Sequence, residues 1–323
     1  PPPPPPPPPP GLGRRQRQMC IRDSPPGEVY LPAMVLGSAG GDLNAVLWFN
    51  VLQSALIGTL AFVLSWQISE RLLLGWLGGV LVFFAGSTVS KAGGYAYAHT
   101  YLLLCLLAFV AFAHHEHTGR RVALMASGLC LGLGMLFRLF LVGAAGLATL
   151  LALTWRCSGD DSTVGRRLFL LALGPALVGA VTSVVAGDRL PDIAREIAVE
   201  SVVHGTGERD DSYSLAARPR YVWKRLSTSA EHPSREARTT RAFDEAAHMI
   251  AVPLGWLAWT LSSRRRWHRV ELGLMLWGLF CTIRIVSRAD LPHLATVTTP
   301  MMVVFPAILG RGVGGSRRQT TAA

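Results

Sequence analysis

Charged residues are scarce in this sequence. They make up 16% of its 323 residues, whereas hydrophobic residues make up 50%, and a soluble domain of ordinary composition carries about 25% charged residues. Lysine is nearly absent, since Lys91 and Lys224 are the only examples, so arginine supplies most of the positive charge behind the formal net charge of +11. The arginines stand in short clusters between apolar runs, which is typical of membrane-protein loops. We therefore expect a membrane protein that does not bind nucleic acid.

The motifs of common enzyme chemistry are missing too. The sequence has no CxxC pair, no Walker loop, no GxSxG and no HExxH, so ATP-driven transport and the common hydrolase mechanisms have no support. A histidine cluster, His114, His115 and His117, lies in the stretch HHEHTGRR. Because only Glu116 stands beside it as a further ligand, we interpret the cluster as a solvated loop rather than a metal site. No cofactor is predicted, and a divalent cation is left open.

Nine apolar runs approach the length of about 20 residues that a helix needs to cross a bilayer. They predict an all-α, polytopic transmembrane helical bundle with about nine spans. The fourth and fifth runs flank Arg138, and they form either two spans or one broken, re-entrant unit. The predicted spans are 45–66, 72–90, 95–113, 122–137, 139–155, 168–187, 247–263, 270–287 and 295–310.

The remaining segments complete the predicted organisation. Residues 1–24 begin with ten prolines and contain RQMCIRDS, which resembles a translated adapter read. We interpret them as a sequencing artefact, with a disordered tail as the alternative. The further predicted segments are the end of an outer loop at 25–44, the first six spans at 45–187, an extracytoplasmic loop with a surface helix at 188–246, the last three spans at 247–311 and a cytoplasmic tail at 312–323.

The arginine clusters give the chain an orientation. If the loop after the third span lies inside, the clusters at 166–167 and 264–269 also lie inside. Every arginine cluster then occupies a short cytoplasmic loop, as the positive-inside rule requires. We expect a multi-pass protein of the cytoplasmic (inner) membrane with its active face on the extracytoplasmic side.

Three groups of polar residues on the predicted outer side are candidates for substrate binding, because ionisable residues are costly near a membrane. Arginine recognises phosphate through paired hydrogen bonds, so a phosphate-bearing substrate suits them. The structural alternatives are a snorkelling arginine, interfacial aromatic anchors and a local ion pair. The groups are Arg138 alone, Lys91 with Tyr95, and Arg284 with Arg288, Asp290 and His293.

Two sequence features resemble a known family. An arginine follows a glycine-rich helix in GLCLGLGMLFRLFLVGAAG, and an Arg-x-Asp-x-x-His pattern precedes a proline-containing span in RADLPHLATVTTPMMVVFPAIL. In this order, along residues 30–310, the chain resembles the multi-spanning type-C glycosyltransferases that use polyprenyl-phosphate sugars. The resemblance implies transfer of a sugar to a glycan, lipid or protein acceptor outside the cytoplasm, in the assembly of cell-envelope glycan or glycolipid.

The same resemblance leaves the catalytic group unassigned. In the family the catalytic carboxylate follows the first span, and the resemblance implies that this sequence begins after that point. The resemblance therefore implies a fragment whose first span and general base are missing, and neither Glu28 nor Asp42 stands in a catalytic motif. Three other interpretations stay open: a membrane transporter, a polysaccharide polymerase or ligase with the same lipid-phosphate chemistry, and a non-enzymatic scaffold.

Overall fold

A computed structural model describes residues 26–84, 97–155, 161–187, 250, 255, 268–287 and 291–314. All regular secondary structure within these residues is helical. The helices in chain order are α1 Pro26–Ser38, α2 Leu43–Ser69, α3 Leu72–Phe84, α4 Tyr97–Thr118, α5 Arg121–Met135, α6 Leu139–Thr154, α7 Asp161–Ala186, α8 Arg269–Ser287 and α9 Leu291–Gly314.

Helices cover eight of the nine apolar runs, which confirms the all-α prediction for the described part of the chain. Apart from positions 250 and 255, the seventh run and the loop 188–246 with its predicted surface helix lie outside the described residues. Helix α1 was not expected, because it lies in the segment interpreted as the end of an outer loop. The count of nine spans and the type-C architecture stay predictions.

Among the described residues, three helical segments are long and apolar enough to cross a membrane: Leu43–Ser69, Thr100–Thr118 and Thr163–Val185. Helices α5 and α6 are also apolar but contain only 15 and 16 residues. At 1.5 Å per residue they reach about 22–24 Å, less than the ~30 Å hydrocarbon core of a bilayer.

The outer surface of the bundle is apolar. In the most apolar window of Thr163–Val185, only 11% of the residues are buried. Leu73 and Val184 expose 80% and 83% of their surface. Soluble monomers rarely expose contiguous apolar surface on this scale. The long apolar helices and their exposed faces together indicate that the protein associates with a membrane.

Helix α2 begins and ends at recognisable signals. The Asp42 side chain accepts a hydrogen bond of 2.9 Å from the backbone N–H of Asn44 and so caps the first turn. After Ser69 the chain turns through Glu70, which has a left-handed φ of 56°, and its N–H donates to the carbonyl of Trp66. The hairpin to α3 is therefore tight, and α3 packs along α2.

Helix α8 lies inside the bundle, where α4, α6 and α9 contact it. Trp277 is fully buried on this helix. Its indole N–H donates to the carbonyl of Leu141 at 3.2 Å, and its ring stacks on Phe109 with centroids 5.5 Å apart. Buried tryptophan needs such a partner for its N–H. Trp277 therefore fixes α8 against both α4 and α6.

A hydroxyl group joins α2 to α9. Ser65 is completely buried, and its Oγ donates to the carbonyl of Val303 at 2.8 Å. Pro306, three residues later in α9, lacks the N–H that would donate to the carbonyl of Met302, the neighbour of Val303. Serine hydroxyls of neighbouring helices commonly donate to carbonyls near such a proline. Gly78 of α3 lies against the same serine and leaves no room for a side chain.

The histidine cluster is not a loop, so that expectation was wrong. Helix α4 continues through Thr118, and the chain turns only at Gly119, whose φ of 68° favours glycine. His115 is buried, and its Nδ1 lies 2.9 Å from the carbonyl oxygen of Arg120. Glu116 accepts a 3.2 Å hydrogen bond from Arg269. The helix extends because its last turn packs on the start of α8.

These contacts define two ends of the bundle. Glu116 at the end of α4 meets Arg269 at the start of α8, which shows that these helices are antiparallel. Thr100 near the start of α4 likewise meets Gln53 in the first half of α2. We call the end with the loop between α5 and α6 the Arg138 end, and the opposite end the Arg269 end.

Candidate functional site

The turn that carries Arg138 is short and well defined. The backbone N–H of Arg138 donates to the carbonyl of Gly134 at 3.1 Å, and its own carbonyl accepts from Val142 at 3.0 Å. Arg138 therefore ends α5 and starts α6, so the two runs form an antiparallel helical hairpin. The structure shows two short helices here, and whether they are two spans or one re-entrant unit stays a prediction.

The surroundings of Arg138 favour an anion. The residue is half-buried at the N-cap position of α6, and no side chain caps the helix there. The first N–H groups of a helix have no partners within it and carry partial positive charge. A guanidinium group at this position adds a full charge to the same region. Helix starts of this kind bind phosphate readily.

The end of α8 approaches the same region. Trp277 contacts Leu141, which lies three residues after Arg138. Position 284 follows Trp277 by seven residues, which is two helical turns, so it lies on the same face of α8 and about 10 Å farther along. The backbone at position 284 therefore lies towards the Arg138 end. Its side chain lies outside the described part of the structure.

The other predicted substrate residues are only partly placed. His293 lies in the first turn of α9, at the Arg138 end, although its side chain is not described. Lys91, Tyr95, Arg288 and Asp290 lie outside the described residues. The prediction that these groups act together therefore stays a prediction beyond Arg138 and the backbone at 284 and 293.

Two buried amide side chains were missed by the sequence analysis. Asn50 and Gln53 of α2 are each 2% exposed. Thr100 of α4 donates to Oε1 of Gln53 at 3.0 Å, but Oδ1 of Asn50 and Nε2 of Gln53 have no hydrogen-bond partner. The signal was present in the sequence, since both are polar residues within an apolar run. Burying polar groups without hydrogen-bond partners in an apolar bundle costs free energy, so such residues often have a function.

A carboxylate suited to catalysis is not evident among the described side chains of the Arg138 end. Asp42 is exposed and caps α2. A shallow cavity of about 370 Å³ between α2 and α3 is lined by Gly58, Phe62, Trp76 and Phe83 among others, and it is apolar. These groups supply a surface for hydrocarbon but no acid or base.

The Arg269 end has a different character. His117 stacks on His268 with ring centroids 5.6 Å apart, next to the ion pair of Glu116 and Arg269. No group of three or more metal-ligating side chains occurs within the described ranges. These contacts join α4 to α8, so we assign them a structural role.

Comparison with known proteins gave no match of any kind: no family model, no curated protein and no solved structure is similar to this chain. Its function must therefore be argued from its own residues.

Proposed function

We propose that the chain belongs to a membrane glycosyltransferase that takes a sugar from a polyprenyl-phosphate donor, and that its Arg138 end binds the lipid phosphate. The observation that carries the proposal is the position of Arg138 between two short apolar helices, at an uncapped helix start. The backbone positions of Arg284, near the end of α8, and of His293, in the first turn of α9, lie at the same end.

The chemistry follows from the charge that develops during transfer. When the sugar leaves the donor, negative charge accumulates on the phosphate oxygens. Preorganised cations and N–H groups stabilise that charge more strongly in an apolar site than in water. Arg138 and the start of α6 would serve this role, with Arg288 and His293 as further ligands. We do not assign the carboxylate that activates the acceptor.

The proposal includes an orientation. The Arg269 end carries Arg71, Arg120, Arg121, Arg166 and Arg167, all close to helix ends. Arginine-rich short loops favour the cytoplasmic side of a membrane. We place the Arg269 end in the cytoplasm and the Arg138 end outside, so donor and acceptor would meet at the outer face of the inner membrane.

A binding measurement tests the proposal. Purified chain in detergent would be titrated with a polyprenyl phosphate while its tryptophan fluorescence is recorded. Hydrogen bonds to charged groups contribute about 1.5–3 kcal/mol, so Arg138→Ala should weaken binding about 10- to 150-fold. Arg138→Lys keeps the positive charge but cannot form paired hydrogen bonds to a phosphate. Its affinity for the lipid phosphate should therefore lie between those of the unaltered chain and Arg138→Ala.

The matched control is Arg71→Ala, which removes an exposed arginine from the opposite end. It should bind the lipid phosphate as the unaltered chain does. If Arg138→Ala is folded and binds with unchanged affinity, the site assignment is wrong. If both variants weaken binding equally, the interaction reflects net charge rather than this site.

The buried amides favour a second candidate function, a membrane transporter. Asn50 and Gln53 place unpartnered polar atoms inside the apolar bundle, and polar groups at such depth often line a substrate path. Asn50→Leu would then abolish uptake of a polar solute into proteoliposomes but leave polyprenyl-phosphate binding unchanged. A polysaccharide polymerase or ligase shares the lipid-phosphate site, and only the identity of the acceptor glycan would separate it from a glycosyltransferase.

A further inference from the structure

Helices α5 and α7 run side by side in the same direction with their backbones in contact. A Cβ atom built on Gly128 would collide with the carbonyl of Leu171, and one on Gly132 would lie 2.9 Å from the Cα of Pro175. In both contacts the α7 residue follows the α5 residue by 43 positions. A constant positive offset means that the helices are parallel, so both begin at the Arg269 end.

This register brings four arginines together. Arg121, the first residue of α5, lies level with position 164 of α7. Arg166 and Arg167 lie two and three residues farther along, which is about 3–5 Å at 1.5 Å per residue. Arg120 directly precedes α5. These four residues, which we call the arginine patch, therefore lie within about 6 Å of each other along the bundle axis.

The arginine patch is open to its surroundings and has a net positive charge. Arg120, Arg121 and Arg166 are exposed, and Arg167 is half-exposed. Glu116, a carboxylate on the neighbouring helix, is already paired with Arg269 at 3.2 Å. Asp160 and Asp161 precede Arg166 along the chain. If each of these two carboxylates neutralises one arginine of the patch, two positive charges remain.

Apolar stripes extend from the arginine patch along both helices. On α5, the exposed side chains recur as Val122, Met125, Leu129 and Leu133, three to four residues apart. On α7, Phe169, Leu173 and Leu177 recur at intervals of four. Residues at these spacings share one face of a helix. Each helix thus presents cations at its end and an uninterrupted apolar stripe beside them.

We propose that the arginine patch and these stripes form a binding site for an anionic phospholipid, with the phosphodiester on the arginines and the acyl chains along α5 and α7. Charge complementarity selects the headgroup, since a zwitterionic lipid brings no net charge to the patch. The apolar stripes select a lipid over a free phosphate ion. This site lies at the opposite end from Arg138 and does not depend on the proposed function.

The test uses native mass spectrometry of the purified chain with phosphatidylglycerol, phosphatidylcholine or inorganic phosphate. The chain should retain phosphatidylglycerol in preference to both other ligands. Each arginine near a membrane surface contributes about a five-fold change in binding, so Arg121→Gln with Arg166→Gln should reduce retention about 30-fold. The control Arg71→Gln removes an arginine from the same end but outside the arginine patch, and should leave retention close to that of the unaltered chain.

The outcomes are separable. Equal loss per arginine in Arg71→Gln and in the double variant would overturn the site, because the lipid would then respond to overall charge. Equal retention of phosphatidylglycerol and phosphatidylcholine by the unaltered chain would overturn it without any variant. If the double variant does not fold, the preference of the unaltered chain is measured at rising salt. A preference that does not decline with salt contradicts a site built from arginines.

Discussion

Replacing Gly174 by alanine should separate α5 from α7. A Cβ atom at this position would collide with the backbone of Gly128 and with the backbone nitrogen of Leu129. Neither atom is the end of a flexible side chain, so one helix must move. Overpacking a close contact typically costs about 1–3 kcal/mol, and a collision with backbone belongs at the upper end of that range.

The chain offers a matched control five residues later. Gly179 lies on the same helix with no heavy atom within 4 Å of a built Cβ, and alanine there should be neutral or should stabilise the helix by up to about 1 kcal/mol. Unfolding by sodium dodecyl sulfate in mixed micelles, followed by circular dichroism, measures both variants. We expect the two free energies of unfolding to differ by about 2–4 kcal/mol. If Gly174→Ala tolerates the detergent as well as Gly179→Ala does, α5 and α7 are not in backbone contact.

Two further predictions concern packing and orientation. Ser65→Ala should lower the free energy of unfolding by about 1–2 kcal/mol, because the buried Val303 carbonyl loses the hydrogen bond from the serine Oγ; a change below about 0.3 kcal/mol in the same detergent titration would contradict this. A cysteine introduced at the exposed Ser38 should react with an impermeant maleimide added to intact cells. A cysteine introduced at the exposed Thr118 should react only after the cells are lysed. The reverse pattern of labelling would invert the proposed orientation.

Apolar runs were sufficient to predict the helices, because bilayer-length runs can satisfy their backbone hydrogen bonds only as helices. The predicted run 139–155 and the observed α6 Leu139–Thr154 differ by one residue. Helix packing was harder to predict. Nothing in the pattern of residues predicts that Gly128 faces Leu171, since other glycines in such runs, for example Gly143 and Gly179, contact nothing.

The sequence predicted groups of candidate residues for the site but not how the groups lie relative to one another. Arg138 was identified because a charge between apolar runs is conspicuous. Asn50 and Gln53 were missed because an amide changes the hydropathy of an apolar run very little. The extension of α4 through His115 was missed because a run of polar residues resembles a loop, and only its contact with α8 reveals otherwise.

The short hairpin of α5 and α6 has a consequence for the membrane itself. If the starts of α5 and α7 lie at one surface, 15 residues of α5 carry the chain about 22 Å into a hydrocarbon layer of about 30 Å. The Arg138 turn then ends several ångströms below the opposite headgroups. Bilayers respond to such mismatch by thinning locally. Headgroups and water would be drawn down to the arginine, so a lipid-borne phosphate would reach the protein without leaving its own leaflet.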